Sequence, residues 1–169
     1  IAKRQAEIAR ITGADAVIYL IGILREFPAR GISFEGLQSR GVALTLSACN
    51  LKGVGRFLLM SANGVRPDGT AYQSTKFQAE EAVKASGLRW TIFRPSVIFG
   101  RPQGRMEFCT QLRRDIIDSP LPAPLFYPGL LPMGAGSFQL APVAVEDVAQ
   151  AFVRALARPE TEGRSFELC

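Results

Sequence analysis

The chain has 169 residues, of which 47% are hydrophobic and 21% charged, a composition that suits one globular domain and argues against disorder. The net charge is +5, but the basic residues are mostly scattered arginines, and no basic stripe with interleaved aromatic residues indicates a nucleic-acid surface. Histidine is absent from the sequence, which excludes a Ser-His-Asp triad and a histidine-ligated metal site within this chain.

The cysteines and the apolar runs of the sequence favour a reducing compartment without a membrane span. Cys49, Cys109 and Cys169 are far apart and odd in number, so they give neither a zinc-ligand spacing nor a disulfide framework. The apolar runs are all well short of a membrane span, and the first residues do not look like a signal peptide. We therefore expect a cytoplasmic protein.

The first part of the chain alternates between predicted helices and predicted strands. Residues 1–11 fit a helix that Gly13 ends, and the apolar run 16–21 fits a strand buried on both faces of a parallel sheet. A second helix is predicted over residues 35–51, followed by a buried strand over residues 56–60.

The next helix has clear boundary signals. Thr70 and Gln73 fit a capping box at its start, Glu80 and Lys84 fit an i,i+4 ion pair, and Gly87 fits its end. Another strand follows directly. Strands and helices alternating at this spacing predict an α/β fold of βαβ units, with right-handed crossovers and helices on both faces of the sheet.

The pattern changes after Gly100. Residues 101–141 are rich in Pro and Gly, and they predict a short helix near residues 106–117 followed by a long loop. A loop of that length in a compact domain is usually functional, or part of a subdomain over a site.

Regular structure returns near the end of the sequence. Residues 142–145 have strand character, and Asp147 is predicted to cap a helix over residues 148–158. Residues 165–168 fit one more strand.

Tyr72 and Lys76 are the strongest candidate site residues. They lie four residues apart at the start of a helix, so the phenol and the ammonium share one face and can reach the same cleft. A nearby cation favours phenolate, which predicts a lowered pKa for Tyr72. Such a pair suits carbonyl reduction, in which hydride and proton arrive separately. A chance Tyr-to-Lys spacing is the alternative.

Five segments, in their order along the chain, resemble the short-chain dehydrogenase/reductase superfamily. The likeness is to its extended or atypical NAD(P)-binding, epimerase-like members, in particular the group that contains the NADPH-binding accessory subunit of respiratory complex I. The matching segments are Gly13–Leu20, Met60–Ala62, the Tyr72-x-x-x-Lys76 motif, Phe93–Gly100 and Pro142–Ala149.

The resemblance implies a Rossmann-type, doubly wound parallel sheet and a role for each matched residue. Ile21 and Gly22 would lie against the adenosine half of NAD or NADP, and Met60 and Ser61 would border the nicotinamide. Tyr72 would be the acid/base, with Lys76 holding the nicotinamide ribose. The carboxamide end would contact Pro95, Ser96 and Val97. The carboxyl ends of parallel strands are also where ligands bind in such sheets.

Two departures from the family pattern qualify these roles. The glycine-rich phosphate-binding turn is absent, so we expect a fragment or the ordered part of a larger protein, in which residues 1–100 form a partial Rossmann domain. Residues 101–169 would complete the same domain as a substrate-loop region with a returning strand and helix. In the active site, Gln38 stands where many relatives have Asn, and Ser61 fits a tight strand exit as well as a catalytic role.

Several other polar residues have structural interpretations. Glu146 and Asp147 fit a helix cap, and Arg94 fits an ion pair at the end of a buried strand. Cys49 fits a buried small hydrophobe, and Trp90 fits core packing. Gln139 could face a substrate.

These observations leave three hypotheses. The first is an NAD(P)H-dependent oxidoreductase or epimerase, in which Tyr72 and Lys76 transfer protons to an unknown small-molecule substrate. The second is a non-catalytic NAD(P)H-binding subunit or assembly factor of a respiratory complex, which would place the protein at the periphery of a membrane. The third is a binding module for a sugar nucleotide or quinone that kept the fold and lost the chemistry.

Overall fold

The computed structural model describes residues 13–101, 110, 113–118 and 141–169. A parallel sheet lies at its centre, with strand order β1-β2-β3-β6. These strands are β1 (Ala16–Tyr19), β2 (Arg56–Met60), β3 (Arg89–Pro95) and β6 (Arg164–Leu168). Two short strands, β4 (Ile98–Phe99) and β5 (Val143–Ala144), pair with each other beside this sheet. The predicted α/β class with a parallel sheet is confirmed.

Three α-helices whose bounds lie within the described residues connect and cover the strands. They are α1 (Arg40–Lys52), α2 (Ala71–Lys84) and α3 (Val145–Leu156). A π-helical turn, Glu35–Ser39, runs directly into α1, and single 3₁₀ turns lie at Pro28–Arg30 and Pro159–Thr161. Within the described ranges, no helix combines the length and the apolar composition needed to cross a membrane.

The central strands β2 and β3 are buried because their side chains are apolar on both faces of the sheet. Phe57 and Leu59 pack with residues of α1 and α2, whereas Leu58 and Phe93 pack with Val148 and other residues of α3. Successive strand side chains point to opposite faces. Helices therefore cover both faces of the sheet, as the sequence predicts, and the two core clusters are separated by the sheet itself.

Strand β1 differs from its prediction. It ends at Tyr19 rather than residue 21, and it is the outer strand of the described sheet rather than a strand buried on both faces. Tyr19 is 5% exposed on the side of α1 and α2, but Ile18 on the opposite side is 38% exposed. An apolar run shows that a strand is suited to burial, but its position in the sheet depends on pairing partners elsewhere in the chain.

The last helix also begins differently. Ala144 has extended backbone angles and is the N-cap residue, so α3 starts at Val145, and Asp147 lies inside the first turn instead of capping it. The helix begins earlier in the sequence than predicted because it follows the short strand β5 directly. Asp147 still carries a negative charge near the helix N-terminus, where it is favourable.

Parts of the predicted irregular region lie outside the described residues. So do the predicted helix over residues 1–11, the long loop and Gln139. Of the helix expected near residues 106–117, a helical turn over Arg113–Ile117 is described.

A buried arginine holds together the amino-terminal edge of the sheet. Arg56, at the start of β2, donates to the Arg89 carbonyl (2.9 Å), the Thr91 hydroxyl (2.7 Å), the Ala155 carbonyl (3.1 Å) and the Thr161 hydroxyl (3.1 Å). Burial lowers the pKa of this guanidinium. One side chain therefore joins β2 to β3, to the end of α3 and to the turn that precedes β6.

We expect Arg56→Ala to lower the free energy of unfolding by about 2–4 kcal/mol, because it leaves buried acceptors without a donor and removes packed atoms. Urea denaturation at neutral pH measures this change. Arg89→Ala is the matched control: its side chain is 62% exposed and pairs with Glu162, so its loss should cost under about 1 kcal/mol. Equal losses for both variants would contradict the structural role of Arg56.

Candidate functional site

The start of α2 is fixed by a reciprocal cap. The Gln73 amide N–H donates to the Thr70 hydroxyl (3.4 Å), and the Thr70 amide N–H donates to the Gln73 side-chain oxygen (2.9 Å). The Gln73 side-chain nitrogen also donates to the Gly64 carbonyl (2.9 Å), which ties down the loop after β2. The predicted capping box is confirmed. Because it sets where the helix begins, it sets which face carries Tyr72 and Lys76.

Lys76 is buried at the carboxyl end of β2. Its side chain crosses from α2 to the sheet, where Nζ donates to the Met60 carbonyl (3.1 Å), and the residue is only 6% exposed. Burial lowers the pKa of Lys76 to about 8, against the opposing influence of Glu80 one turn further along α2. The ammonium therefore titrates close to physiological pH, in contrast to an ordinary surface lysine.

Tyr72 lies beside this ammonium but does not have the predicted lowered pKa. The Lys76 Nζ is 5.8 Å from the centroid of the Tyr72 ring, and the ring of Phe34 packs edge-on against it at 5.7 Å. Burial raises the pKa of the Tyr72 phenol. The prediction of a lowered pKa was wrong because the ammonium lies over the ring and bonds the Met60 carbonyl, so desolvation of the phenol dominates.

A recess opens beside Lys76, between α2, the π-helical turn and the ends of β1 and β2, and Tyr72 is not among the residues that line it. Its volume is about 190 Å³, including the open space at its mouth, and its lining includes Ile21, Gln38, Met60, Ser61 and Lys76. Ile21 is 52% exposed, so the recess has an apolar rim. A ligand that enters it meets an ammonium, an amide and a hydroxyl along one wall.

Ser61 and Gly22 fit a bound ligand. Ser61 is only 4% exposed, and its backbone N–H donates to the Phe93 carbonyl. Its hydroxyl, in contrast, is buried without a hydrogen-bond partner among the described residues. A buried unpaired hydroxyl is costly unless something bonds it. A Cβ at Gly22 would lie 3.4 Å from the Lys76 Nζ, so the glycine leaves space directly beside the ammonium.

Gln38 links the two sides of the recess. Its side-chain nitrogen donates to the Ile23 carbonyl (2.9 Å), and its oxygen accepts from the Thr75 hydroxyl (3.0 Å). The residue is 2% exposed and lies in the π-helical turn, whose Leu37 carbonyl accepts a hydrogen bond from the Tyr19 hydroxyl. Such π-helical turns are often found at functional sites. The glutamine thus joins the segment after β1 to the first turns of α2.

The remaining predicted residues lie at the same edge of the sheet but not in the recess. The Pro95 carbonyl accepts from Asn63, the Ser96 amide N–H donates to Leu168, and the Val97 carbonyl accepts from Val143. These backbone groups connect neighbouring segments of the chain.

The predicted i,i+4 ion pair of Glu80 and Lys84 is present at 3.9 Å, although Lys84 bonds Glu81 more closely at 2.7 Å. The sequence did not show the main partner of Glu80: this carboxylate is completely buried and accepts two hydrogen bonds from Arg94, at 2.9 and 2.6 Å. The prediction of a structural ion pair for Arg94 is confirmed. The i,i+4 spacing of Lys76 and Glu80 was the available signal that Glu80 belongs near the site.

Comparison with known proteins identifies the class of protein. Residues 3–115 match the family described as NAD(P)H-binding, and the chain belongs to this family. A protein of the short-chain dehydrogenase/reductase superfamily from Agrobacterium tumefaciens, solved with bound NAD, superposes with a TM-score of 0.73 at 20% identity, covering 97% of this chain and 62% of that one. A dTDP-glucose 4,6-dehydratase double mutant from Streptomyces venezuelae, solved with NAD, gives 0.71 at 18% identity, covering 97% and 54%.

A curated relative gives a more particular likeness. The mitochondrial 40 kDa subunit of NADH-ubiquinone oxidoreductase from Neurospora crassa is 26% identical over 156 residues, which cover 92% of this chain and 37% of the subunit. The chain therefore spans little more than a third of that relative's length. The predicted Rossmann-type fold, the likeness to short-chain dehydrogenases and epimerases, and the NAD(P) cofactor class are confirmed.

The burial of Lys76 predicts a specific pH dependence of stability. Its pKa is about 8 in the folded chain and near 10.5 when exposed, so between these values the unfolded chain binds more protons and stability rises with pH. Lys76→Met removes this linkage. We expect the stability advantage of Lys76→Met over wild type to be larger at pH 7 than at pH 10.5, by up to roughly 3 kcal/mol.

Urea denaturation of both proteins at the two pH values measures this difference. Lys52→Met removes an exposed lysine and serves as the control for any general effect of charge. A Lys76→Met advantage that is the same at both pH values would contradict the burial of a charged ammonium.

Proposed function

We propose that this chain supplies the nicotinamide end of an NAD(P)H site in an oxidoreductase or epimerase-like protein, with Tyr72 and Lys76 as its proton-transfer pair. The observation that supports this most is the juxtaposition of a half-buried phenol and a buried ammonium, one helical turn apart, beside a recess at the carboxyl ends of β1 and β2. Ligands of doubly wound sheets bind at such strand ends.

The chemistry of the recess fits the nicotinamide ribose. Lys76 would donate to ribose hydroxyls, and the Ser61 hydroxyl, which has no hydrogen-bond partner among the described residues, would offer a further polar contact near the nicotinamide. Ile21 and Gly22 would contact the cofactor from the β1 side, and Met60 from the β2 side. Pro95, Ser96 and Val97 would meet its carboxamide end further along the same edge. When bound, the cofactor supplies hydride chemistry, which the side chains of this site do not provide.

The state of Tyr72 favours its role as a proton donor. The phenol, whose pKa burial raises above its usual value near 10, is protonated at physiological pH and would carry the proton that a substrate carbonyl oxygen needs as it becomes a hydroxyl. The phenolate that remains lies in the same part of the site as the Lys76 ammonium, whose Nζ is 5.8 Å from the centroid of the Tyr72 ring. Solvent then returns the proton. In the reverse direction the same phenolate would accept the proton of an alcohol.

A second function is supported by the curated relative. That protein is a subunit of NADH-ubiquinone oxidoreductase, and the raised pKa of Tyr72 makes proton abstraction from an alcohol difficult at neutral pH. On this proposal the chain holds NAD(P)H without turnover, as a subunit or assembly factor of a respiratory complex at the periphery of a membrane. On the first proposal, by contrast, the protein would be a cytoplasmic enzyme.

Tyr72→Phe separates the two functions. If the chain belongs to an enzyme, removing the hydroxyl should lower carbonyl reduction with NADH or NADPH by about 10²–10⁴-fold, because the proton donor is lost. The Kd for the reduced cofactor should stay within about threefold, since Lys76 is unchanged. Nicotinamide absorbance measures turnover against a panel of carbonyl and sugar-nucleotide substrates, and nicotinamide fluorescence measures binding.

Tyr19→Phe is the matched control, because it removes a tyrosine hydroxyl from the lining of the recess but leaves Tyr72 in place. Tight binding of NADPH with slow exchange and no turnover would favour the non-catalytic subunit. Both functions would be rejected if neither NADH nor NADPH binds the full-length protein, or if Lys76→Met leaves their affinity unchanged.

A further inference from the structure

Beneath the Tyr72 and Lys76 pair lies a buried ion pair that the proposed chemistry does not use directly. Glu80 is on α2, and its two carboxylate oxygens accept from the Arg94 Nε at 2.9 Å and from an Arg94 terminal nitrogen at 2.6 Å. Glu80 is fully buried, whereas the Arg94 side chain is 25% exposed. Glu167 of β6 lies 4.0 Å from the outer side of the guanidinium. The geometry is bidentate, the strongest form of this interaction.

Glu80 and Lys76 are four residues apart on one helix, so they lie on the same face of α2. Both are buried, where the attraction between opposite charges is less screened than at the surface. In the part of the chain that the structure describes, Glu80 is the charged side chain whose field acts on Lys76.

The other elements around Lys76 present mostly uncharged groups. The π-helical turn presents Gln38, β1 presents Tyr19 with its hydroxyl bonded to Leu37, and β2 presents the Met60 carbonyl and Ser61. Tyr72 on α2 is a neutral phenol at physiological pH. The nearest charged residues of β3 and β6 are Arg94 and Glu167. Arg94 pairs with Glu80, and Glu167 pairs with Arg94.

We propose that Glu80 and Arg94 are positioning residues for Lys76: Arg94 holds the Glu80 carboxylate in place one turn below the ammonium, and the carboxylate keeps Lys76 charged where it meets the cofactor. This inference rests on the proposed function only for the last step, the meeting with the cofactor. The effect of Glu80 on Lys76 is a property of the chain alone.

The bidentate pairing decides how Glu80 acts. Since both of its oxygens bond Arg94, the carboxylate acts on the ammonium through its electric field, and Lys76 stays free to bond Met60 and a ligand. Without that field, desolvation alone would determine the charge of Lys76, and more of the lysine would be neutral at physiological pH. A neutral amine would hold a ribose hydroxyl less firmly than an ammonium.

The experiment is a titration of Lys76 in the cofactor-free, full-length protein. Residues 1–169 contain four lysines, so ¹³C-lysine labelling gives few signals from this part of the protein, and Lys76→Met assigns the one of interest. We expect Glu80→Gln to lower the titration midpoint of Lys76 by about one pH unit, because an amide of the same shape lacks the charge. Glu80→Asp, which keeps the charge, should restore most of that shift.

Glu81→Gln is the matched control, because Glu81 is the next residue, its side chain is 52% exposed and it pairs with Lys84. It should leave the Lys76 midpoint within about 0.3 pH unit, since exposed charges are screened. If Glu80→Gln does not fold because Arg94 loses its partner, the double variant Glu80→Gln, Arg94→Gln removes both charges and should lower the midpoint too. If Glu80→Gln, or the double variant where it is needed, is folded and its Lys76 titration midpoint equals that of wild type, the proposal is overturned.

Cofactor binding then separates this inference from the proposed function. The Kd for NADPH is measured by fluorescence between about pH 6 and pH 9. As the pH rises and Lys76 loses its proton, the affinity should begin to fall at a lower pH in Glu80→Gln than in wild type. A shifted midpoint with unchanged NADPH binding would keep the effect of Glu80 and reject the cofactor role of Lys76. Binding that depends on Lys76, with no shift in Glu80→Gln, would reject this inference alone.

Discussion

The buried ammonium of Lys76 is the constraint on which the site depends. An ammonium in an apolar environment is costly, and here the Met60 carbonyl and the field of Glu80 offset only part of that cost. Both conditions need β2 and α2 to lie side by side with the strand ending where the helix begins. The capping box at Thr70 fixes that beginning, and the cover of the central strand by α1 and α2 fixes the separation. A shift of one residue in the start of the helix would turn Lys76 away from the strand end.

The two ends of the sheet use buried cations in opposite ways. At the amino-terminal edge, Arg56 donates to groups of β3, α3 and the last turn, so the guanidinium is fully engaged in structure. At the carboxyl edge, Lys76 bonds one carbonyl and adjoins open space at Gly22. An ammonium has three donors. The difference in how far the two cations are satisfied distinguishes a structural cation from one that is available to a ligand.

Features of the fold that depend on neighbouring residues in the sequence were predictable, and those that depend on distant partners were not. The apolar run of β2 gave the observed bounds Arg56–Met60, and Thr70 with Gln73 gave the observed cap. The exposure of Ile18 depends on which strands flank β1. The partner of Glu80 on helix α2 is Arg94 on strand β3, which is distant in the sequence. The pKa of Tyr72 was misjudged for the same reason, because spacing along a helix shows that Lys76 is near but not that its ammonium bonds Met60. The roles of all the candidate site residues toward a cofactor or substrate, those of Tyr72 and Lys76 included, stay predictions.

The unpaired hydroxyl of Ser61 bears on both proposed functions in the same way. A buried hydroxyl without a partner costs about 1–3 kcal/mol, and in this site it lines the recess beside Lys76. A ligand that bonds Ser61 and Lys76 together would remove that cost and satisfy a second donor of the ammonium, and on either proposed function that ligand is the nicotinamide ribose. The distinction between the two proposed functions, enzyme and cofactor-holding subunit, therefore rests on Tyr72, whose phenol is protonated at physiological pH.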